Sequence, residues 1–553
     1  MKPIALLLCV CLILSLPPIS SAAECANDKE AILSTLYESD ISTARQALDQ
    51  GLITCVELTQ YFLERIEAYN DTFNCFITLC DNALEEAEER DLRMAEETEH
   101  GMLLGIPIVV KDNIDYEGYP TTNGLWTYGS VAWKSATVVQ TLIDAGAVVL
   151  GKSNMATEAQ EAQFTASDAI GETFNAYGVH LSAGGSSGGS AAAVSLNFCY
   201  GGLGTDTNAS LRYPAVLNGC ISMRSTKGLL DREGIIILNG TRDVPGVVTR
   251  SVKDQALLLG EMAGVDYVSG LDANALSGKR IGVLQELCYC DTAYAYRSKS
   301  MIDNEIKTAF YEAVDNFRAL GATVITVSIP NLFSLAESCE YNSSYAIEKY
   351  LKVYEDLFAS RDLDAVIFPT YLHTPDNSLA EKGWDNLNYD TFYSNCSLLS
   401  SPLGVPEIAI PIDYHSKGSG IGLEIAALRG DDALVLDLAY SYTEAYNTRI
   451  PPTTAPDLYL HAAVPSAPET EEITDTEPET VTEGTEVEST SEITEETEST
   501  VEETVQPTKK TTNSQITITK EDIRILLLIL ALGIIFTISV TVKQIRRKKA
   551  VHK

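Results

Sequence analysis

SAGGSSGGSAAAVSLNFCYGGLGTDTNASLRYP, residues 182–214, is the stretch around which the rest of the chain is organised. It opens with a glycine–serine loop and passes through a small-residue segment that reads as a helix. A short apolar segment follows, and then a second loop, residues 204–214. Both loops present hydroxyls: Ser186 and Ser187 stand between glycine pairs, and Ser210 precedes Leu211-Arg212-Tyr213-Pro214. Flanking glycines let main chain approach a ligand closely, which suits a site where N–H groups converge on an anion. Gly/Ser richness also fits a flexible linker. Linkers are not usually continued by Ala191-Ala192-Ala193-Val194, so the folded reading is preferred.

Working outward, the ends account for much of the length of this 553-residue chain, whose net charge is −38. Residues 1–23 have Lys2, an apolar run over 4–16 and small residues at Ser20-Ser21-Ala22-Ala23, the layout of a secretory signal peptide cleaved after Ala22 or Ala23. Cys25 is not a good lipid-attachment site, because Glu24 precedes it. Residues 525–542 are 18 uncharged residues, long enough to span a bilayer, and the basic tail 543–553 behind them predicts a cytoplasmic C-terminus. Everything before that span is then expected on the extracellular face of the membrane. Residues 464–520 form a Thr/Glu/Pro-rich segment; between 469 and 508 it carries 15 acids and no Lys or Arg, so it cannot bury a core and reads as a disordered stalk. An acidic exterior argues against nucleic-acid partners.

Residues 24–463 remain as one large folded body. Its ten cysteines (25, 55, 75, 80, 199, 220, 288, 290, 339 and 396) are an even count, which in an exported chain predicts disulfides. No metal-ligand spacing stands out and the histidines are unclustered, so neither metal nor cofactor is expected. Residues 27–98 read as helices, with Leu58, Tyr61, Phe62, Ile66 and Tyr69 at helical spacing. The apolar run 103–110 reads as a buried strand ending in Lys111-Asp112-Asn113. A helix over 136–145 and a strand over 147–150 follow. The same rhythm predicts strands at 280–284, 322–328 and 364–368 and helices at 302–319 and 431–446. Strands alternating with helices predict an α/β fold with a central sheet covered by helices on both faces.

The chemistry turns on Lys111. Serine is a poor nucleophile until a base takes its proton, and no motif positions a histidine here. A neutral lysine is the available base. At a reference pKa near 10.4 only about one lysine in 2,500 is neutral at pH 7, and reaching a pKa of about 7 needs roughly 4.6 kcal/mol of differential destabilisation of the cation. Burial delivers shifts of that size.

Gly105-Ile106-Pro107-Ile108-Val109-Val110-Lys111-Asp112-Asn113-Ile114, Gly184-Gly185-Ser186-Ser187-Gly188-Gly189-Ser190 and Gly204-Thr205-Asp206-Thr207-Asn208-Ala209-Ser210-Leu211-Arg212 resemble, in that order, the motifs of the amidase signature family. Echoes such as Arg242-Asp243-Val244-Pro245-Gly246, Phe368-Pro369-Thr370 and Gly404-Val405-Pro406 extend the resemblance over most of the body. It implies the amidase signature fold, with a mixed central sheet, and a Ser–cis-Ser–Lys triad. Ser210 is then the nucleophile, Ser186 the relay on a cis peptide and Lys111 the base. The main-chain N–H groups of Thr207, Asn208, Ala209 and Ser210 would hold the oxyanion. The implied activity is hydrolysis of a linear or cyclic carboxamide, peptide-like or small-molecule, through an acyl-enzyme. One departure stands out: the family usually has Gly-Gly before the nucleophile, and here it is Asn208-Ala209. Asparagine tolerates φ > 0 better than other non-glycine residues, so position 208 is expected to keep that geometry.

Two rival readings remain. Gly185-Ser186-Ser187-Gly188-Gly189 also fits G-x-S-x-G, which would make Ser187 the nucleophile of an α/β-hydrolase served by His373 or His415. Alternatively, Asn208-Ala209 marks a retired amidase scaffold displayed as a binding protein. The family's tRNA-dependent amidotransferase member is closer in sequence style, but export, anchoring and the lack of basic patches argue against that role.

Overall fold

The computed structural model describes residues 22–126, 129–288, 302–340, 343–373, 378, 380 and 395–460. All of them fall in the first of the two units into which the chain divides, Met1–Pro468. The expected stalk, span and basic tail lie outside the described residues. So does the expected signal peptide, apart from Ala22 and Ala23, which open the helix Ala22–Thr35. Among the described residues no helix is long and apolar enough to cross a membrane.

The body is built on one 11-stranded sheet. Its strands are β1 (Phe76–Leu79), β2 (Pro107–Lys111), β3 (Val148–Ser153), β4 (Gly201–Asp206), β5 (Ile221–Arg224), β6 (Val244–Thr249), β7 (Arg280–Leu284), β8 (Thr323–Val327), β9 (Ala365–Pro369), β10 (Glu407–Tyr414) and β11 (Gly420–Ala426). Their order across the sheet is β1-β3-β2-β4-β6-β5-β10-β11-β9-β7-β8. Two parallel runs, β3-β2-β4 at one side and β9-β7-β8 at the other, are joined by antiparallel strands. The sheet is therefore mixed. Every residue of β2, β3, β4, β5, β6, β9 and β11 is buried. Side chains alternate between faces along a strand, so complete burial means that both faces are covered.

The covering elements include helices α1 (Cys55–Phe73), α2 (Ala83–Glu96), α3 (Thr137–Asp144), α4 (Gly188–Ser195), α5 (Arg212–Leu217), α6 (Val252–Ala263), α7 (Asn304–Ala319), α8 (Ser344–Arg361) and α9 (Asp432–Ala445). Helix α4 packs on β4, α5 on β5, α6 on β6 and α9 on β10. Helix α1 shows how local chemistry sets a boundary. Thr54 accepts a hydrogen bond from the Glu57 N–H at 3.1 Å, and the Glu57 carboxylate accepts from the Thr54 N–H at 2.9 Å. This capping box satisfies donors that the first turn leaves unpaired. The helix stops at Asn74, which adopts the left-handed conformation with φ 57°.

The expected disulfides do not form among the described cysteines. Cys55, Cys75, Cys80, Cys199, Cys220, Cys288, Cys339 and Cys396 are all free and buried; the side chain of Cys25 and all of Cys290 lie outside the described residues. They serve as small apolar core residues. Cys55, for example, fills the space that a side chain at Gly105 would need, since a Cβ there would come 2.3 Å from its Sγ.

What positions the site is the pairing of β2 with β4. They run parallel, with Val110 opposite Leu203, so both chains deliver their C-terminal ends to the same edge. Crevices at the carboxyl ends of parallel strands are the usual binding place in such sheets. Lys111 closes β2, and Thr205 and Asp206 close β4.

Candidate active site

Lys111 is fully buried. Its Nζ lies 2.8 Å from Ser186 Oγ and 3.0 Å from Thr205 Oγ1. Thr205 is held in turn by Asn113, whose Nδ2 donates to the same hydroxyl oxygen at 3.1 Å. Burial drives the lysine pKa down, against the opposing pull of the Asp206 and Asp243 carboxylates, to about 7. Its hydrogen-bond partners are hydroxyls, which cost the neutral amine nothing. The cation donates to Ser186, and the neutral amine can accept from that same hydroxyl.

Ser186 follows a cis peptide bond from Gly185. The turn is pinned by Gly185 N–H to Ala162 O at 2.8 Å and by Ala156 N–H to Ser186 O at 3.1 Å. Only glycine fits at 185, where a Cβ would stand 2.3 Å from Phe164 O. The next residue joins this loop to the second one: Ser187 N–H donates to Ser210 O at 3.1 Å. Ser210 is buried to all but 5 % and sits just ahead of α5.

The loop that carries Ser210 is fixed from below by charge. Asp206 accepts from Leu211 N at 3.3 Å and Arg212 Nε at 3.1 Å, and pairs with Arg224 at 3.2 Å. Burial would raise its pKa, but Arg212 and Arg224 outweigh that and hold the carboxyl below its ordinary range. Arg212 also pairs with Glu407 and with Glu424, and donates to Asn208 O at 3.0 Å. Burial, with Glu424 close by, keeps Glu407 well above the usual carboxylate range in spite of Arg212.

The residues ahead of Ser210 are held from the side. Thr207 donates to Asp243 at 2.7 Å, and its carbonyl accepts from Ser401 at 2.6 Å. The Asn208 side-chain oxygen accepts from Arg242 Nη1 at 2.9 Å and is 2.8 Å from Ser401 Oγ. Neither Asn208 nor Ala209 has a positive φ, so the expectation for position 208 is corrected. The Asn208 side chain is held by the hydrogen bond from Arg242, and its backbone is not left-handed.

The structure thus brings Lys111 and Ser186 into contact and joins the Ser186 and Ser210 loops through main chain. Thr205 and Asn113 lie inside the quoted motifs, yet sequence reasoning passes over them; two polar residues at the strand ends flanking Lys111 are the available signal. Arg242 and Asp243 open the segment Arg242-Asp243-Val244-Pro245-Gly246, which echoes the family motifs without a role being read from it, and Ser401 carries no local signal. Of the groups in the Ser187 alternative, the Ser187 hydroxyl donates to Thr205 O at 3.3 Å, and His415 faces Asp303, the N-cap of α7, at 3.5 Å and Glu305 in its first turn at 3.7 Å. Those last three could surround a cation. However, His415 Nδ1 accepts from the Lys417 N–H at 3.1 Å, which leaves the proton on the nitrogen facing the carboxylates.

The sequence model of the family described as Amidase matches residues 57–356, more than half of the chain. A glutamyl-tRNA(Gln) amidotransferase subunit of Thermosynechococcus vestitus is 35% identical over 471 residues, covering 71% of this chain and 94% of the relative. The native peptide amidase of Stenotrophomonas maltophilia superimposes with a TM-score of 0.64 at 26% identity, over 75% of this chain and 99% of that one. Fatty acid amide hydrolase shares the fold, with a TM-score of 0.64 at 18% identity, over 78% of this chain and 87% of its own. With a mixed sheet of this order and its three motifs gathered at one sheet edge, the chain belongs to the amidase family and is an amidohydrolase.

Proposed function

We propose that the protein hydrolyses a carboxamide through an acyl-enzyme on Ser210, with Ser186 as relay and Lys111 as base. The observation that carries this reading is the contact between Ser186 and a fully buried lysine whose pKa is about 7. Near neutrality about half of such lysines are unprotonated, against a few in ten thousand for a free lysine. Neutral Lys111 takes the Ser186 proton as Ser186 takes that of Ser210, and Ser210 Oγ attacks the amide carbonyl. The N–H groups of residues 207–210 receive the oxyanion, the kind of preorganised donors that contribute about 2.7–4 kcal/mol each. The proton returns along the same chain to the leaving nitrogen, the C–N bond breaks, and ammonia or an amine departs. Water, activated by the same base, then cleaves the ester and releases the acid.

Similarity to a peptide amidase supports a peptide-like amide as substrate. A signal-like start and an apolar C-terminal segment support placement on the extracellular face of the membrane. The match to an amidotransferase component favours a second reading, service to a glutamyl-tRNA partner; the net charge of −38 disfavours it. A panel of primary amides, with released ammonia as readout and Ser210→Ala as blank, tests the first. Turnover by the wild type alone is expected. Equal release by both proteins would refute the assignment of Ser210.

A further inference from the structure

Asn208 is held in one orientation that its position before Ser210 does not by itself require. Arg242 is a donor without acceptor capacity, so the atom facing it at 2.9 Å must be the amide oxygen. Ser401 Oγ lies 2.8 Å from that same oxygen. Arg242 is itself anchored, donating to Cys339 O at 3.0 Å. The nitrogen end of the carboxamide is then fixed by exclusion. Among the described residues Asn208 Nδ2 has no hydrogen-bond partner, and it is not among the buried polar atoms left unpaired. It is an accessible, rigidly aimed pair of N–H donors two residues before Ser210. The main chain on either side is fixed as well, through Thr207 to Asp243 and Asn208 O to Arg212.

We infer that the Asn208 side chain is a specificity-determining donor: it binds a second carbonyl oxygen of the substrate, close to the scissile amide, and so favours amides whose acyl part carries such an acceptor. This rests on the reading of Ser210 as nucleophile. An N-acylated amino-acid amide has the required acceptor, and a plain aryl-alkyl amide does not. A site built to donate to a substrate acceptor discriminates against the analogue that lacks it, because its own polar group is left unpaired.

Asn208→Asp keeps an oxygen for Arg242 and Ser401 and exchanges the N–H pair for an acceptor. Asn208→Gly removes the whole clamp. The probe pair is N-acetyl-phenylalaninamide and hydrocinnamamide, each measured by its protection of Ser210 from a fluorophosphonate label. The readout is the ratio of the two protecting concentrations within one protein, so any common loss of reactivity cancels. In the wild type the acetylated probe is expected to protect at roughly tenfold lower concentration. In Asn208→Asp and Asn208→Gly the ratio is expected to fall to about one. A wild-type ratio of one, or a preference that survives in both variants, overturns the inference while Ser210 stays labelled. Loss of labelling in both variants also overturns it, since the side chain would then act on the nucleophile rather than on substrate. A wild type that takes no label refutes the Ser210 reading itself, and the inference falls with it.

Discussion

In the proposed mechanism Lys111 is the base, and its environment sets the pH at which it would work. Burial lowers its pKa to about 7, so the amine is protonated below that value and neutral above it. The expected kcat/KM therefore falls about tenfold per pH unit below neutrality and levels off above it. A profile flat between pH 5 and 8 would exclude a lysine base. Lys111→Ala is expected to lower kcat/KM by about 10²–10⁴-fold, measured against the same amide. Lys111, Ser186 and Ser210 are legible as candidates because each stands in a contiguous motif that resembles one of the family's. Ser401 is not, and Asp243 is visible only within the echo Arg242-Asp243-Val244-Pro245-Gly246, with no role read from it. Both reach the loop before Ser210 across the fold. Asn208 is visible as a departure, but left-handed backbone is not its cause. Its explanation lies in Arg242 and Ser401, which only the folded chain brings near.

At the scale of elements, the glycines that let α4 and β4 approach also hide β4 from view. Gly201-Gly202-Leu203-Gly204 has little strand propensity, so the sequence reads as no strand there. In the fold, a Cβ at Gly202 would lie 3.0 Å from Ser190 Cβ on α4, and one at Gly204 would lie 2.8 Å from Ser187 Oγ. Close packing excludes the side chains that mark a strand. For several other elements the reading from periodicity is close: β7 matches residues 280–284, and α3, α7, β8, β9 and α9 agree to within about two residues. Those elements carry β-branched runs or amphipathic stripes and face no such constraint. Helix α1 offers a direct test of local stabilisation. Thr54→Ala removes the N-cap acceptor and half of the capping box, and is expected to cost about 1 kcal/mol in denaturant unfolding. No loss of stability would mean that the box contributes nothing in this context.

The described body is held together by groups that bridge distant segments. Arg65 on α1 is fully buried, and its guanidinium donates to the carbonyls of Leu196, Asn197, Ala455 and Pro456, each at 2.9 Å. One side chain thus fastens the end of the described chain to the turn after α4. Arg65→Met would strand four main-chain acceptors, and a loss of more than about 4 kcal/mol in unfolding free energy is expected. A change below about 1 kcal/mol would mean that water replaces it. The strand order at the middle of the sheet, where β6 precedes β5 and β10 joins β5, is not legible, because antiparallel partners remote in sequence leave no periodic trace. The catalytic proposal is itself a claim about assembly: a strand end, a loop before α4 and a loop before α5 form one proton path. Its most direct test is the mass and position of a fluorophosphonate adduct, followed across pH. A single adduct on Ser210 is expected, formed at a rate that rises through pH 7, slowed in Ser186→Ala and Lys111→Ala and absent in Ser210→Ala. An adduct on Ser187, or labelling of wild-type speed in Lys111→Ala, would contradict it.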